Sequence, residues 1–122
     1  MEKSVLLIED EPNIIEAISF VLSRGGFRVH AHSNGGTAVE EVRRRAPDLV
    51  ILDVMLPGRT GFEVLQDLRS AEDLADIPVL MLTARGQTKD RKLAEQMGAN
   101  QFMTKPFSNT EVLETVRELV SI

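Results

Sequence analysis

The sequence predicts an α/β domain over residues 1–122, a doubly wound five-stranded parallel sheet in the order 2-1-3-4-5 with five helices on two faces. Three observations lead there. Apolar runs of strand length recur along the chain, segments with apolar residues at helical spacing separate them, and turn or cap residues stand at the joints. Such alternation implies right-handed βαβ crossovers and a parallel sheet covered on both faces, so the inner strands read as unbroken apolar runs. At 122 residues and 43% hydrophobic composition, the chain has the length of one domain and can bury a core without disulfide staples.

Each element has its own justification. Val5–Ile8 is the first strand, and Pro12 suits the first turn of a helix whose inner stripe is Ile14, Ile15, Ile18, Val21 and Leu22. Gly25-Gly26 stops that helix, and Phe27–His32 is a short, weak strand suited to a sheet edge. Arg43-Arg44-Arg45 reads as a solvated helix end whose charges suit the C-terminal dipole. Leu49–Leu52 is the third strand, followed by a turn segment from Val54 to Gly61 and a helix carrying Val64, Leu65 and Leu68. Val79–Leu82 is the fourth strand, Gly98 ends the fourth helix, and Gln101–Thr104 is a weaker fifth strand. Ser108 with Glu111 forms a capping box ahead of Val112, Leu113, Val116, Leu119 and Val120.

Charge and composition exclude several classes. A net charge of -5 opposes direct nucleic-acid binding and attraction to anionic membranes. The absence of cysteine rules out disulfides and thiolate metal sites and fits a reducing compartment. Met1-Glu2-Lys3-Ser4 lacks a signal-peptide layout, and no run approaches membrane-spanning length. A cytoplasmic protein is expected.

Open α/β sheets bind ligands beyond the carboxyl ends of their strands, at the point where strand order reverses. In the order 2-1-3-4-5 that point lies between strands one and three, which end in Glu9-Asp10-Glu11 and Asp53. The same rim collects Thr83 and Lys105 from the ends of strands four and five. Crowded carboxylates repel unless a cation sits among them, and oxygen ligands without Cys or a nearby His favour Mg²⁺, with Mn²⁺ as its substitute. Mg²⁺ borrows oxygens from phosphoryl groups, and an Asp carboxylate can form an acyl phosphate beside it. Asp53 is therefore the candidate nucleophile, Lys105 a point charge for one phosphoryl oxygen, and Thr83 a hydrogen-bond donor to another. Singly, each has an ordinary explanation: a solvated acidic loop, a turn cap, a strand-end hydroxyl, a surface ammonium. Their convergence on one rim favours chemistry. Met55, Met81, Met97 and Met103 read as packing, with Met55 offering at most its backbone carbonyl, and His30 and His32 as structural or exposed.

With these residues assembled, the chain resembles the receiver domain of bacterial two-component response regulators, which shares this flavodoxin-like fold. The resemblance spans the chain and rests on Leu7-Ile8-Glu9-Asp10-Glu11, on Asp53 followed by Met55, Pro57 and Gly61, on Leu82-Thr83-Ala84 and on Lys105-Pro106-Phe107. It implies phosphorelay signalling, in which a sensor histidine kinase or phosphotransfer protein donates phosphoryl from phosphohistidine to Asp53. Glu9, Asp10, Asp53 and the Met55 carbonyl would surround Mg²⁺, while Thr83 and Lys105 receive the phosphoryl group. It further implies a cis Lys105-Pro106 bond and a switch in which Thr83 and the aromatic Phe102 move together, altering the surface of helix four, strand five and helix five. Phe102 lacks the hydroxyl of the more usual Tyr, so packing alone couples it to Thr83. Met55 and Arg85 would tune the access of water to the phosphoryl group.

By the same resemblance the chain is a phosphoacceptor that catalyses only its own phosphorylation and dephosphorylation, not an enzyme acting on others. It would act as a monomer or weak dimer on an effector protein or output domain, because Asn100-Gln101, Thr110 and Thr115 stand where receivers that pair symmetrically carry charges. The end at Ser121-Ile122 fits a stand-alone receiver or part of a longer regulator. Two other readings use the same fold or nucleophile. A haloacid-dehalogenase-type phosphatase needs an acid two residues after the nucleophile, where Met55 stands, and an FMN-binding module needs a neutral phosphate cradle where Glu9-Asp10-Glu11 stands.

Overall fold

Among the described residues five β-strands and five α-helices alternate as expected, and the three inner strands are β-branched or leucine-rich and buried on both faces, whereas the two edge strands are partly exposed. The computed structural model describes residues 2–83 and 88–120. The elements run β1 (Ser4–Ile8), α1 (Pro12–Arg24), β2 (Arg28–His32), α2 (Ala38–Arg45) and β3 (Leu49–Asp53). They continue with α3 (Gly61–Ser70), β4 (Val79–Thr83), α4 (Thr88–Gln96), β5 (Gln101–Thr104) and α5 (Asn109–Val120). A single 3₁₀ turn, Gly35–Thr37, precedes α2. The strand order is β2-β1-β3-β4-β5 and all pairings are parallel.

Strand alternation divides the core between the two faces of the sheet. Leu6, Ile8, Val50, Leu52, Val79 and Met81 pack with Val42 of α2, Leu65 and Leu68 of α3 and Ala94 of α4. On the opposite face, Val5, Leu7, Leu49, Ile51, Leu80 and Leu82 pack with Ile18 and Leu22 of α1 and Val112 and Val116 of α5. Phe27 precedes β2 instead of opening it, and Asp53 and Thr83 are the last residues of their strands rather than the first beyond them. Both functional candidates thereby inherit the rigidity of the sheet.

Helix ends follow local chemistry with two differences from expectation. Ser108 Oγ accepts the Glu111 amide at 3.0 Å, one half of the predicted box. A complete box forms at α3, where Thr60 Oγ1 accepts the Glu63 amide and Glu63 returns to the Thr60 amide. Thr60→Ala should destabilise the fold by about 1 kcal/mol, read as a lower urea midpoint at unchanged slope. Met81 and Met103 are buried as predicted, whereas the Met55 side chain is 72% exposed and does not pack. Ala84 and Arg85, named in the sequence reading, lie outside the described residues.

Candidate functional site

Parallel pairing sets Ile8 opposite Leu52, so the residues that follow them, Glu9 and Asp53, emerge side by side at the carboxyl edge. Glu9 is fully buried, and Asp53 and Thr83 are nearly so, with exposures of 3% and 2%. Three chain segments hold this rim. The Glu9 amide donates to the His32 carbonyl at 3.0 Å, the Val54 amide to the Leu82 carbonyl at 3.0 Å, and the Lys105 amide to the Thr83 carbonyl at 2.7 Å. The Lys105-Pro106 peptide bond is cis. At the start of α3 a side chain on Gly61 would collide with the Asp53 carbonyl, so only glycine lets the helix begin this close to β3.

The charges converge on one ammonium. Lys105 Nζ lies 3.1 Å from Glu9 Oε1, 3.2 Å from Glu11 Oε1 and 3.4 Å from Asp53 Oδ2. Glu9 Oε2 accepts the Asp10 and Glu11 amides at 3.1 and 3.2 Å, tying the acidic turn to its own buried carboxylate. Glu9 Oε1 completes no directed hydrogen bond, so its contact with Lys105 is an ion pair of poor geometry. Burial, reinforced by the contact and charge of Glu9, pushes the Asp53 carboxyl up to about 7 against the opposing pull of Lys105. Burial alone would lower Lys105, but the contact with Glu9 and the charge of Asp53 outweigh it and raise the ammonium above its ordinary value.

Glu9, Asp10 and Asp53 each present a carboxylate oxygen, and these oxygens lie within 4.8 Å of one another. The donor set is all oxygen, two of its members are buried, and one buried oxygen lacks a directed partner. That combination fits a hard divalent cation. The Met55 amide stands 3.5 Å from Asp53 Oδ1, which places the residue beside the acid.

Every predicted site residue among Glu9, Asp10, Asp53, Met55, Thr83 and Lys105 falls on this rim, and Phe102 lies outside it. Phe102 is half-buried on β5, opposite Met81 and on the same sheet face as Thr83 by strand alternation. The Arg91 guanidinium sits 5.4 Å from the centre of its ring. Sequence reasoning missed the pairing of Lys105 with Glu11, because the 94-residue separation hides it.

With the geometry established, comparison with known proteins decides the family. The model of the response regulator receiver domain matches residues 5–117. The chain belongs to this family. The receiver domain is 38% identical to the phosphate regulon transcriptional regulatory protein PhoB of Escherichia coli over 98% of its length and 52% of that relative. It is equally similar to the alkaline phosphatase synthesis transcriptional regulatory protein PhoP of Bacillus subtilis, covering 49% of it. It therefore spans about half the length of the curated relatives it matches.

Among solved structures, a putative response regulator from Chloroflexus aurantiacus superposes with a TM-score of 0.96 at 28% identity, each chain fully covered. The receiver domain of a sensor histidine kinase from Pseudomonas aeruginosa, with a magnesium ion coordinated in its active site cleft, gives 0.90 at 28% identity, again with full coverage of both chains. The BeF3-activated N-terminal receiver domain of RstA from Klebsiella pneumoniae gives 0.90 at 28% identity, covering 98% of this chain and 99% of that one. Receiver domains serve two-component signal transduction, and neither the phosphatase nor the flavin-binding reading is supported. No helix among the described residues is long and apolar enough to cross a membrane.

Proposed function

We propose that residues 1–122 act as one phosphoacceptor unit, in which Asp53 takes a phosphoryl group from the phosphohistidine of a sensor kinase or phosphotransfer protein. The observation that carries this reading is a nearly buried Asp53 clustered with Glu9 and Asp10, with the Lys105 ammonium in contact with both Asp53 and Glu9. Glu9, Asp10, Asp53 and the Met55 carbonyl would hold Mg²⁺, which supplies charge neutralisation for the incoming phosphoryl oxygens. Lys105, beside Asp53, would reach the same oxygens, and Thr83, the last residue of the neighbouring strand, would offer its hydroxyl to another. The unit works in the cytoplasm and passes its state to an effector protein or output domain through α4, β5 and α5, with Thr83 and Phe102 as the moving parts.

Phosphotransfer is written simply: a carboxylate oxygen of Asp53 bonds to phosphorus as the bond from phosphorus to the donor breaks, and the donor leaves with its electron pair. The chain catalyses this on itself, and hydrolysis of the acyl phosphate by water resets it. The test is incubation with acetyl phosphate and Mg²⁺ followed by intact-mass measurement, with a single phosphoryl adduct as the expected result. No adduct at any Mg²⁺ concentration would overturn the reading.

Lys105→Ala separates the roles of the two cations. The ammonium competes with a metal for Glu9 and Asp53, so its removal should leave Mg²⁺ affinity intact or stronger while lowering the stability of the metal-free protein. Weaker Mg²⁺ binding in this variant would show that Lys105 supports the metal instead of the phosphoryl group.

A further inference from the structure

The acidic turn after β1 and the turn after β3 that carries Met55 flank Asp53 at the end of its strand, and the stretch from His32 to Thr37 touches both turns. It is the end of β2 with the segment 33–37 that leads to α2, which has no part in the reading above. On one side, the strand that leads into it fastens the first bank of the site: the His32 carbonyl accepts the Glu9 amide at 3.0 Å, and His32 Nε2 meets Thr37 Oγ1 at 2.7 Å. On the other side, the Gly35 amide donates to the Pro57 carbonyl at 2.9 Å, in the turn that carries Met55.

The second contact is made backbone to backbone. Gly35 is buried, and a Cβ there would stand 2.6 Å from the Arg59 carbonyl oxygen and 3.1 Å from its amide nitrogen. Gly58 has φ +87, and a Cβ on it would meet Asn34 Oδ1 at 2.9 Å and the Gly36 amide at 3.0 Å. Asn34 Oδ1 is itself occupied by the Gly36 amide at 2.6 Å, which shapes the turn that receives Gly58. Two glycine turns are therefore interlocked, Gly35 against the Arg59 backbone and Gly58 against the Asn34 amide oxygen and the Gly36 backbone. From the far side, the Arg59 side chain binds Asp67 and the Glu63 carbonyl of α3, so the Pro57–Arg59 stretch is gripped between α3 and the segment 33–37.

We propose that the turn Asn34-Gly35-Gly36 is a positioning brace for the metal site, holding the turn that carries Met55 in place beside Glu9, Asp10 and Asp53, whose own spacing the β1–β3 pairing sets. Mg²⁺ demands near-ideal octahedral geometry at short range, so a displacement of a few tenths of an ångström in one bank is felt as lost affinity. Residues that orient metal ligands typically change metal affinity by about 10–100-fold when substituted. Gly35→Ala pushes directly on the Arg59 backbone, and Asn34→Ala leaves the space open but releases the turn.

The proposal rests on Glu9, Asp10 and Asp53 being the Mg²⁺ ligands, and the test separates the two. Amide NMR titration with MgCl₂ on the isotope-labelled 122-residue chain measures Kd for wild type, Gly35→Ala and Asn34→Ala, alongside the melting temperature of each without metal. The expected result is a Kd raised about tenfold in Gly35→Ala and severalfold in Asn34→Ala. A turn with only a structural role would lower the metal-free melting temperature and leave Kd alone. If Gly35→Ala does not fold, Asn34→Ala decides, since its side chain is exposed. Saturable wild-type binding with a Kd within about twofold in the folded variants overturns the brace. Absence of saturable binding in wild type overturns the metal site itself.

Discussion

Asp53→Asn should abolish the phosphoryl adduct formed from acetyl phosphate, remove most of the response to Mg²⁺, and raise the melting temperature of the metal-free protein above neutral pH. The last effect runs against the usual result for a buried residue and follows from the electrostatics. Asp53 sits in burial beside Glu9, and its carboxyl is pushed up to about 7, so its ionised form is less favourable in the folded chain than in the unfolded one. Each unit of such a shift corresponds to about 1.4 kcal/mol, which puts the cost of the charge on the order of a few kcal/mol when the pH exceeds the folded value. Asn keeps the shape and removes the charge, while Lys105 retains Glu9 and Glu11 as partners. As pH falls from about 7 toward about 4 the stabilisation should shrink, and it vanishes once the unfolded chain is protonated at this site as well. The check is intact mass for the adduct and thermal melts at pH 5 and pH 8 for the stability. An adduct that survives the substitution would move the phosphoacceptor elsewhere.

The second large effect is the coupling of Mg²⁺ to pH. Because the folded site binds its proton more tightly than the unfolded chain does, the metal-free protein should lose stability as pH rises from about 4 to about 7, then level off. At the proposed site Mg²⁺ would bind the deprotonated carboxylates in competition with that proton, so its stabilisation should be small at pH 5 and largest at pH 8. At a free concentration about 100 times Kd, the stabilisation amounts to about 2.7 kcal/mol, a shift of several degrees in melting temperature. Melts in EDTA and in MgCl₂ across this range test it. Superimposed curves at pH 8, or an equal metal response at pH 5 and pH 8, would count against a carboxylate metal site at Asp53.

Lys105 shows how the uncharged and charged states of this rim are balanced. In the metal-free chain it is the internal counterion for three carboxylates, two of them buried, yet its geometry leaves Glu9 Oε1 without a directed bond. One ammonium cannot satisfy that many oxygens. A divalent ion at the proposed site would relieve the residual repulsion, so the same arrangement that weakens the free protein would favour a loaded one.

Much of this was legible beforehand because parallel sheets write themselves plainly. β1, β3 and β4 are buried on both faces, so Val5–Ile8, Leu49–Leu52 and Val79–Leu82 are unbroken apolar runs, and the acids and hydroxyl that end them stand out. Topology did the rest, since one strand order places the ends of β1 and β3 side by side. Other features left weaker traces. The exposed edge strand β2 showed only as Phe27–His32, with its start one residue early, because half-exposed residues such as His30 and His32 carry little pattern. The capping box at Thr60 was hidden inside a turn read for its Pro and Gly residues, and Met55 was read as packing although its neighbours leave it in solvent.

The sequence by itself determined the order of the elements, the burial of the strands and the residues that crown them, because periodicity and turn chemistry are local and each is written within a few positions. Tertiary structure alone decided what those residues do to one another. The raised proton affinity of Asp53 depends on Glu9, 44 positions away, and the charge of Lys105 is divided among acids from two other strand ends. The grip of Gly35 on the Pro57–Arg59 turn likewise joins segments that share no pattern. Such effects fall off over a few ångströms of space, whereas a sequence records only distance along the chain.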